Sequence, residues 1–393
     1  MKKTFLTIFA VAVFFVGFCA TASSCNSSKK EKAGLAAENT DDEGSNIEDA
    51  DDDGPLFDAT SGVVSTDTLY QDSNSLYCMH YGSNGKLNVL TRNNRVLLSD
   101  PTFYIERNED TPNIFKIYCN FDTLRVDVSK PDAVEKIKAL HRDKSQVEKF
   151  EYAMKHPKFD KVVYYFTVET PKSSFRKQKV AQDLLLSYLN PKSGSKDEND
   201  NPIKPFLGRS DDFEGMAKYF CKSFFECFDY DSESEIYDSQ KCLVYKLTDH
   251  YITYQVSSSS YTGGAHGMYA DCLVTFDLDN KCEMNWKYLF RPECKKQVEN
   301  LFYDVVGKDS HFLESEHPKN RKELVDHFKD EKGRSVISAE GGEQCIGVCD
   351  KGIVFSFQPY EISYYAAGRF DFVLPFDRVK PFMTKRAIKV LGL

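Results

Sequence analysis

Hydrophobic and polar residues alternate in short runs between about residues 58 and 128, and such alternation is typical of half-buried β-strands. Turn residues separate the runs, and the pairs Asn84-Gly85 and Asn93-Asn94 favour tight hairpins. The pattern therefore predicts a β-rich module, with strands at residues 75–81, 86–91, 95–98, 102–106, 114–121 and 123–128.

A change in the period of the pattern predicts a helix at the end of this module. Ser129 is a suitable N-cap. Apolar residues then recur at steps of three, four or seven over residues 134–154, and Pro157 ends the pattern. We therefore expect residues 58–157 to form one β-rich module with a terminal helix.

Residues 158–393 combine strands and helices in an order that is typical of an α+β domain. The segment 161–169 alternates as a strand, whereas residues 178–189 and the segment that begins at Ser210 carry apolar stripes at helical spacing. Further strands follow one another directly, which favours an antiparallel sheet with packed helices over alternating parallel α/β units. These strands are predicted at residues 241–247, 251–257 and 268–278.

The N-terminus has the order of a bacterial export signal, with two lysines, an apolar run over residues 5–20 and small residues up to Ser24. Residues 22–25, three small residues followed by Cys25, resemble a lipoprotein box. Residues 1–24 are therefore predicted to be removed as a signal peptide, and Cys25 to carry a lipid such as palmitate that attaches the protein to a membrane of the cell envelope, either periplasmic or surface-exposed. A retained N-terminal anchor and an unlipidated secreted protein are the alternatives.

Residues 25–57 carry 10 acidic residues against three lysines, so we predict a disordered acidic tether. Asp49, Asp51 and Asp53 match the opening of a calcium loop. Thr60, however, stands where such a loop needs a glutamate, so no metal site is predicted. The net charge of the whole chain is −9, and most of it lies in the tether. The nearly neutral remainder lacks the basic surface of a nucleic-acid-binding protein.

Two segments near the C-terminus are distinctive. The loop 261–267, YTGGAHG, surrounds a histidine with three glycines, which allow sharp backbone bends and leave amide groups open. Residues 359–368 read PYEISYYAAG, and residues 372–376 read FVLPF. The segment TFDL at 275–278 and the segment YLF at 288–290 lie between the loop and residue 359. All five segments together resemble the extracellular RsiV/PdaC-like region, an α+β unit of envelope proteins.

The resemblance is most specific over residues 250–385 and extends loosely back to residue 158. It implies a protein that binds a ligand outside the cytoplasm, either lysozyme, as RsiV does, or a peptidoglycan-derived glycan. It implies neither RsiV-type signalling nor deacetylase activity, because we find no transmembrane helix after the signal and no paired histidines of a PdaC-type catalytic domain. The ligand-binding residues that it implies are Tyr261, Gly263, Gly264, His266, Tyr360 and Glu361.

No motif for catalysis, a metal or a cofactor is present, so a non-enzymatic function is predicted. An envelope polysaccharide hydrolase with an unrecognised site near His266, Tyr360 and Glu361 is the alternative, and a structural component of a larger surface assembly is a third. Ten cysteines besides Cys19 and Cys25 leave two alternatives open. They form either the disulfides of an exported protein or buried thiols.

Overall fold

The computed structural model describes most of the chain after residue 62 and divides it near residue 141 into two compact units. The predicted signal peptide, Cys25, the acidic tether, the calcium-like run and Asn84-Gly85 lie outside the described residues. The described residues are 63–82, 88–99, 103–108, 110–119, 122–140, 144–192, 194–195, 202–226, 235–263, 266–330, 333–338 and 345–393.

The first unit contains two antiparallel sheets and a short helix. Its elements are β1 (Val63–Gln71), β2 (Leu76–Gly82), β3 (Asn88–Arg92), β4 (Arg95–Ser99), β5 (Tyr104–Asn108), β6 (Thr111–Cys119), β7 (Asp122–Asp127) and α1 (Ala133–Lys138). One sheet has the order β1-β2-β3-β4 and the other the order β5-β6-β7. Asn93 and Asn94, with φ of 48° and 63°, form the predicted turn between β3 and β4. The predicted β-rich character of this region is confirmed, although β1 was not predicted.

The prediction of a helix over residues 129–154 is correct only for residues 133–138 and wrong for the rest of the segment. The helix α1 has only six residues, and the chain continues as the strand β8 (Val147–Lys155). Apolar side chains of β8 alternate with exposed ones because antiparallel pairing with β9 (Val162–Pro171) imposes a period of two. The strand β8 therefore belongs to the second unit, which begins near residue 141 rather than at the predicted residue 158.

A six-stranded sheet forms one part of the second unit. Its elements besides β8 and β9 are α2 (Gln178–Leu189), α3 (Phe213–Glu226), β10 (Ile236–Leu247), β11 (Tyr251–Tyr261), β12 (Met268–Asp277) and β13 (Cys282–Glu283). The strand order is β13-β12-β11-β10-β9-β8, and only β9 and β10 run parallel. Even-numbered side chains of β9 to β12 form one core with α2 and α3, where the rings of Phe166 and Phe220 lie 5.9 Å apart. Odd-numbered side chains therefore lie on the opposite face.

A three-stranded sheet and further helices form the other part of this unit. The elements are α4 (Trp286–Leu289), α5 (Lys295–Val306), α6 (Ser310–Glu316), α7 (Arg321–Asp326), β14 (Cys345–Val348), β15 (Gly352–Phe357), β16 (Phe370–Pro375), α8 (Phe376–Val379) and α9 (Lys385–Leu391). The ring of Phe302 lies 5.0 to 5.5 Å from the rings of Phe328, Phe355 and Phe372. This aromatic cluster fixes the sheet against α5.

The architecture is α+β, as predicted, with a β-rich N-terminal unit followed by a mixed unit. The bounds of α2 are those predicted from its apolar stripe. Within the described part of the chain, no helix has the length and apolar character needed to span a membrane.

Candidate functional site

Exposed tyrosines flank a row of serines on the odd-numbered face of the six-stranded sheet. Tyr165, Ser239, Ser259 and Tyr269 lie side by side on β9, β10, β11 and β12. The two tyrosines are 41% and 38% exposed. Three strand spacings separate them, which corresponds to about 14 Å. The smaller serine side chains lie between the two tyrosines, with Ser239 only 8% exposed, and we call this arrangement the trough.

A second pair of tyrosines closes one end of this trough. Tyr237 of β10 and Tyr261 of β11 are cross-strand partners, two positions along from the serines and on the same face. Tyr237 is 37% exposed and lies close enough to Tyr365 to interact with it electrostatically. The trough is thereby connected to the segment around residue 365.

The predicted loop lies directly beside these tyrosines. Gly263 has φ of +92°, a conformation that strongly favours glycine. Nδ1 of His266 donates a hydrogen bond to the Gly267 carbonyl oxygen (2.9 Å), and the Tyr365 hydroxyl donates to the same oxygen (2.6 Å). The rings of His266 and Tyr365 are stacked, with centroids 3.9 Å apart. Gly264 lies outside the described residues.

A strained turn presents Tyr360 next to Tyr365. The Glu361 amide donates to the Gln358 carbonyl (3.0 Å), which closes a turn with Pro359 at its second position. Tyr360 stands at the third position with φ of +71°, where a type II turn normally has glycine. Its side chain is 56% exposed, and its ring lies 5.4 Å from that of Tyr365. Such strain is typical of functional sites.

The carboxyl group of Glu361 hydrogen-bonds the backbone of this turn. One of its oxygens accepts a hydrogen bond from the Gln358 amide (2.8 Å). Desolvation by the surrounding protein raises the pKa of the Glu361 carboxyl group to about 7, although the residue as a whole is exposed. The protonation state of Glu361 therefore changes near neutral pH.

Glu361→Gln should flatten the pH dependence of folding stability. The pKa of Glu361 is raised from 4.5 to about 7 on folding, so the folded state binds more protons between these values and loses stability as the pH rises through them. Glutamine keeps the hydrogen-bond acceptor but does not titrate. Urea denaturation midpoints at several pH values between about 4 and 8 measure the difference. Glu314→Gln, at an exposed position of α6, is the control and should follow the wild type; parallel curves for wild type and Glu361→Gln would contradict the assignment.

An ion-pair network lies next to the tyrosine-bearing strands, between β12 and β16. The Arg369 guanidinium donates to Asp271 of β12 and to Asp371 of β16 (2.7 Å to Asp371). Burial raises the pKa of both carboxyl groups, and the positive charge of Arg369 opposes that rise. The side-chain amide of Gln358 bonds the backbone of Asp271 in both directions, at 2.8 and 3.0 Å. The network thereby joins the two sheets and the Tyr360 turn.

The structure brings most of the predicted residues together on one surface. His266 and Tyr360 lie against the ring of Tyr365, and Glu361 hydrogen-bonds the backbone of the Tyr360 turn. Tyr261 is the cross-strand partner of Tyr237, and Gly263 follows it in the loop. Sequence reasoning missed Tyr165, Tyr237 and Tyr269, because only the pairing register places them near the loop. We call this surface the tyrosine face, which consists of Tyr165, Tyr237, Tyr261, Tyr269, Tyr360 and Tyr365 together with His266.

The tyrosine face is suited to binding by stacking and hydrogen bonding. Its rings offer apolar faces, and its hydroxyl groups and serines offer donors and acceptors. Within the described residues, no group of three or more His, Cys, Asp or Glu side chains is arranged to hold a metal ion. The hydrogen bonds of His266 and Glu361 go to different partners, namely the Gly267 carbonyl and the Gln358 amide.

Comparisons with known proteins identify one family segment. Residues 287–377 match the model of DUF3298, described as a protein of unknown function. This segment contains Tyr360, Glu361, Tyr365 and Arg369 but not the loop 261–267. No curated protein matches the chain.

Two solved structures are similar to the chain. A DUF3298 family protein from Pseudomonas aeruginosa PAO1 is 10% identical, with a TM-score of 0.42 over 61% of this chain and 95% of that one. A DUF3298 member from Bacteroides fragilis NCTC 9343 is 14% identical, with a TM-score of 0.43 over 62% of this chain and 94% of that one.

Proposed function

We propose that this chain is a non-catalytic lipoprotein of the cell envelope that binds a peptidoglycan-derived glycan or lysozyme through its tyrosine face. The observation that carries the proposal is the trough of exposed tyrosines with serines between them. The resemblance of the loop and tail motifs to the RsiV/PdaC-like region supports the choice of ligands, and the N-terminal pattern supports the location.

The chemistry of the trough fits either ligand. Sugar rings present flat apolar C–H faces that stack on aromatic rings, while their hydroxyl groups need nearby polar partners. Tyrosine supplies both kinds of contact from one side chain and loses little conformational entropy on binding. The same properties make tyrosine frequent at the centres of protein interfaces.

Calorimetric titration of the full-length protein in detergent with lysozyme, and separately with soluble peptidoglycan fragments, tests the proposal. We expect saturable binding of one of these ligands, weakened by His266→Ala because the stack on Tyr365 is lost. His250→Ala, at an exposed turn of the same unit, is the matched control and should bind like the wild type. Absence of binding to both ligands would contradict the proposal and direct the search to other protein partners.

Cys25→Ala should release the protein from the membrane. The lipid on Cys25 is proposed to be the attachment, and alanine has no thiol to acylate. Fractionation of cells that express the two forms, followed by immunoblotting, measures the distribution. Cys19→Ala is the control and should leave the protein membrane-bound. Unchanged membrane association of Cys25→Ala would contradict the lipid anchor and favour a retained N-terminal anchor.

An envelope polysaccharide hydrolase is the second candidate function, favoured by the pKa of about 7 at Glu361. A carboxyl group that titrates near neutral pH is suited to general acid or base catalysis. Release of reducing ends from peptidoglycan is the assay. Turnover that persists in His266→Ala and Glu361→Gln would exclude this site as its source, and turnover lost in both would replace the binding proposal.

A further inference from the structure

Cys272 and Cys345 lie next to each other where the two sheets of the second unit meet. All nine cysteines in the described residues are free thiols. The side chains of Cys272 in β12 and Cys345 in β14 pack into the same apolar core, and their thiols are near enough to hydrogen bond. Within the described residues, this pair joins a strand of the six-stranded sheet to a strand of the three-stranded sheet.

The strands β12 and β14 approach each other unusually closely. The Val348 amide donates to the Thr275 hydroxyl (2.9 Å). A Cβ atom placed on Gly347 would lie only 2.4 Å from that of Leu273, so only glycine fits there. Going back along both strands from Val348 and Thr275, the next contact is between Gly347 and Leu273, and the next pair is Cys345 and Cys272. The backbone at Cys345 is therefore held beside Cys272 by neighbours on its own strand.

We propose that Cys272 and Cys345 form a disulfide when the protein meets a thiol–disulfide oxidant, and that this bridge locks the three-stranded sheet onto the six-stranded sheet. Cys345 is half-buried and Cys272 is 2% exposed, so the Cys345 thiolate attacks first. With glutathione disulfide, this attack breaks the S–S bond of the oxidant and releases one glutathione thiol. The Cys272 thiolate then attacks the mixed disulfide and releases the second, which completes the two-electron oxidation.

The environment of the pair predicts slow formation and high persistence. A hydrogen bond with the Cys272 thiol and desolvation raise the pKa of the Cys345 thiol, and the carboxylates of Glu361 and Asp371 raise it further, so the reactive thiolate is scarce at neutral pH. Oxidation should therefore accelerate about tenfold for each pH unit towards alkaline conditions. Once formed, the bridge should also be reduced slowly, because a reducing thiol reaches it only through the half-buried Cys345 sulfur.

Peptide mapping of the full-length protein after incubation with glutathione disulfide tests this inference. We expect a peptide pair joined through Cys272 and Cys345, a mass lower by about 2 Da, and a melting temperature raised by about 5 °C or more. Cys345→Ser should abolish all three. Cys242→Ser is the matched control, since it removes another buried thiol of the same core and should leave the bridge intact.

The inference does not depend on the ligand of the tyrosine face, so its failure and that of the proposed function are separate results. Glutathione adducts alone, or a bridge between other cysteines, would overturn it. So would an unmodified pair after oxidation under mildly denaturing conditions that expose both thiols.

Discussion

Arg369→Ala should lower the free energy of unfolding of the second unit by about 3 kcal/mol. The variant leaves Asp271 and Asp371 without the positive charge between them, and both side chains are only about 20% exposed. Two uncompensated carboxylates then repel each other across the junction of the two sheets. Because Gln358 couples Asp271 to the Tyr360 turn, ligand binding should fall as well. Urea denaturation monitored by circular dichroism measures the stability.

Two further variants distinguish the effect of breaking this network from the effect of removing any arginine charge. Arg369→Lys retains the charge but not the forked geometry that reaches both carboxylates, so an intermediate loss is expected. Arg378→Ala removes a half-exposed arginine whose partner Asp304 lies 3.9 Å away, and it should cost less than about 0.5 kcal/mol. If Arg369→Ala cost no more than Arg378→Ala, the network would not be what joins the sheets.

Local patterns predicted those elements that local interactions determine. The helix α2 has a continuous apolar stripe and a proline just after its end, and its bounds were predicted correctly. The turn at Asn93 and Asn94 was predicted because asparagine tolerates positive φ. In both cases the residues that specify the element lie within the element itself.

The strand β8 shows why other elements were not predicted. Its apolar residues are spaced so that a helical and an extended reading both fit part of the segment. Only the pairing of β8 with β9 decides between them, and that partner is not part of the local pattern. The same holds for the parallel pairing of β9 with β10, because α2 and α3 separate these strands along the chain.

The sequence predicts the residues that the loops contribute to the candidate site but not those that the sheet contributes. The glycines of 261–267 and the tail motif were conspicuous, and Tyr360 was chosen from them. Tyr165 and Tyr237 belong to unremarkable strands, and only the register across β9 to β12 places them around the serines. Arg369 was missed because its role depends on carboxylates contributed by two different sheets.

Tyr360→Gly should weaken ligand binding at least tenfold while leaving the fold intact. The side chain is 56% exposed, so its removal sacrifices little packing within the protein. Glycine relieves the strain of φ +71° by about 1 kcal/mol, and its greater freedom in the unfolded chain offsets a similar amount. The net change in stability is therefore close to zero. As an exposed aromatic ring of the proposed binding surface, in contrast, Tyr360 is expected to contribute more than about 1.4 kcal/mol to binding, which corresponds to tenfold in Kd.

Titration calorimetry with the ligand that the wild type binds, together with urea denaturation, measures both quantities on the same samples. Tyr104→Ala is the matched control, because Tyr104 is 58% exposed but lies in the first unit. It should bind like the wild type. If Tyr360→Gly also bound like the wild type, the ligand would contact another surface, and the strained turn would serve the fold alone. If it lost both binding and stability, the ring would be part of the core rather than of the binding surface.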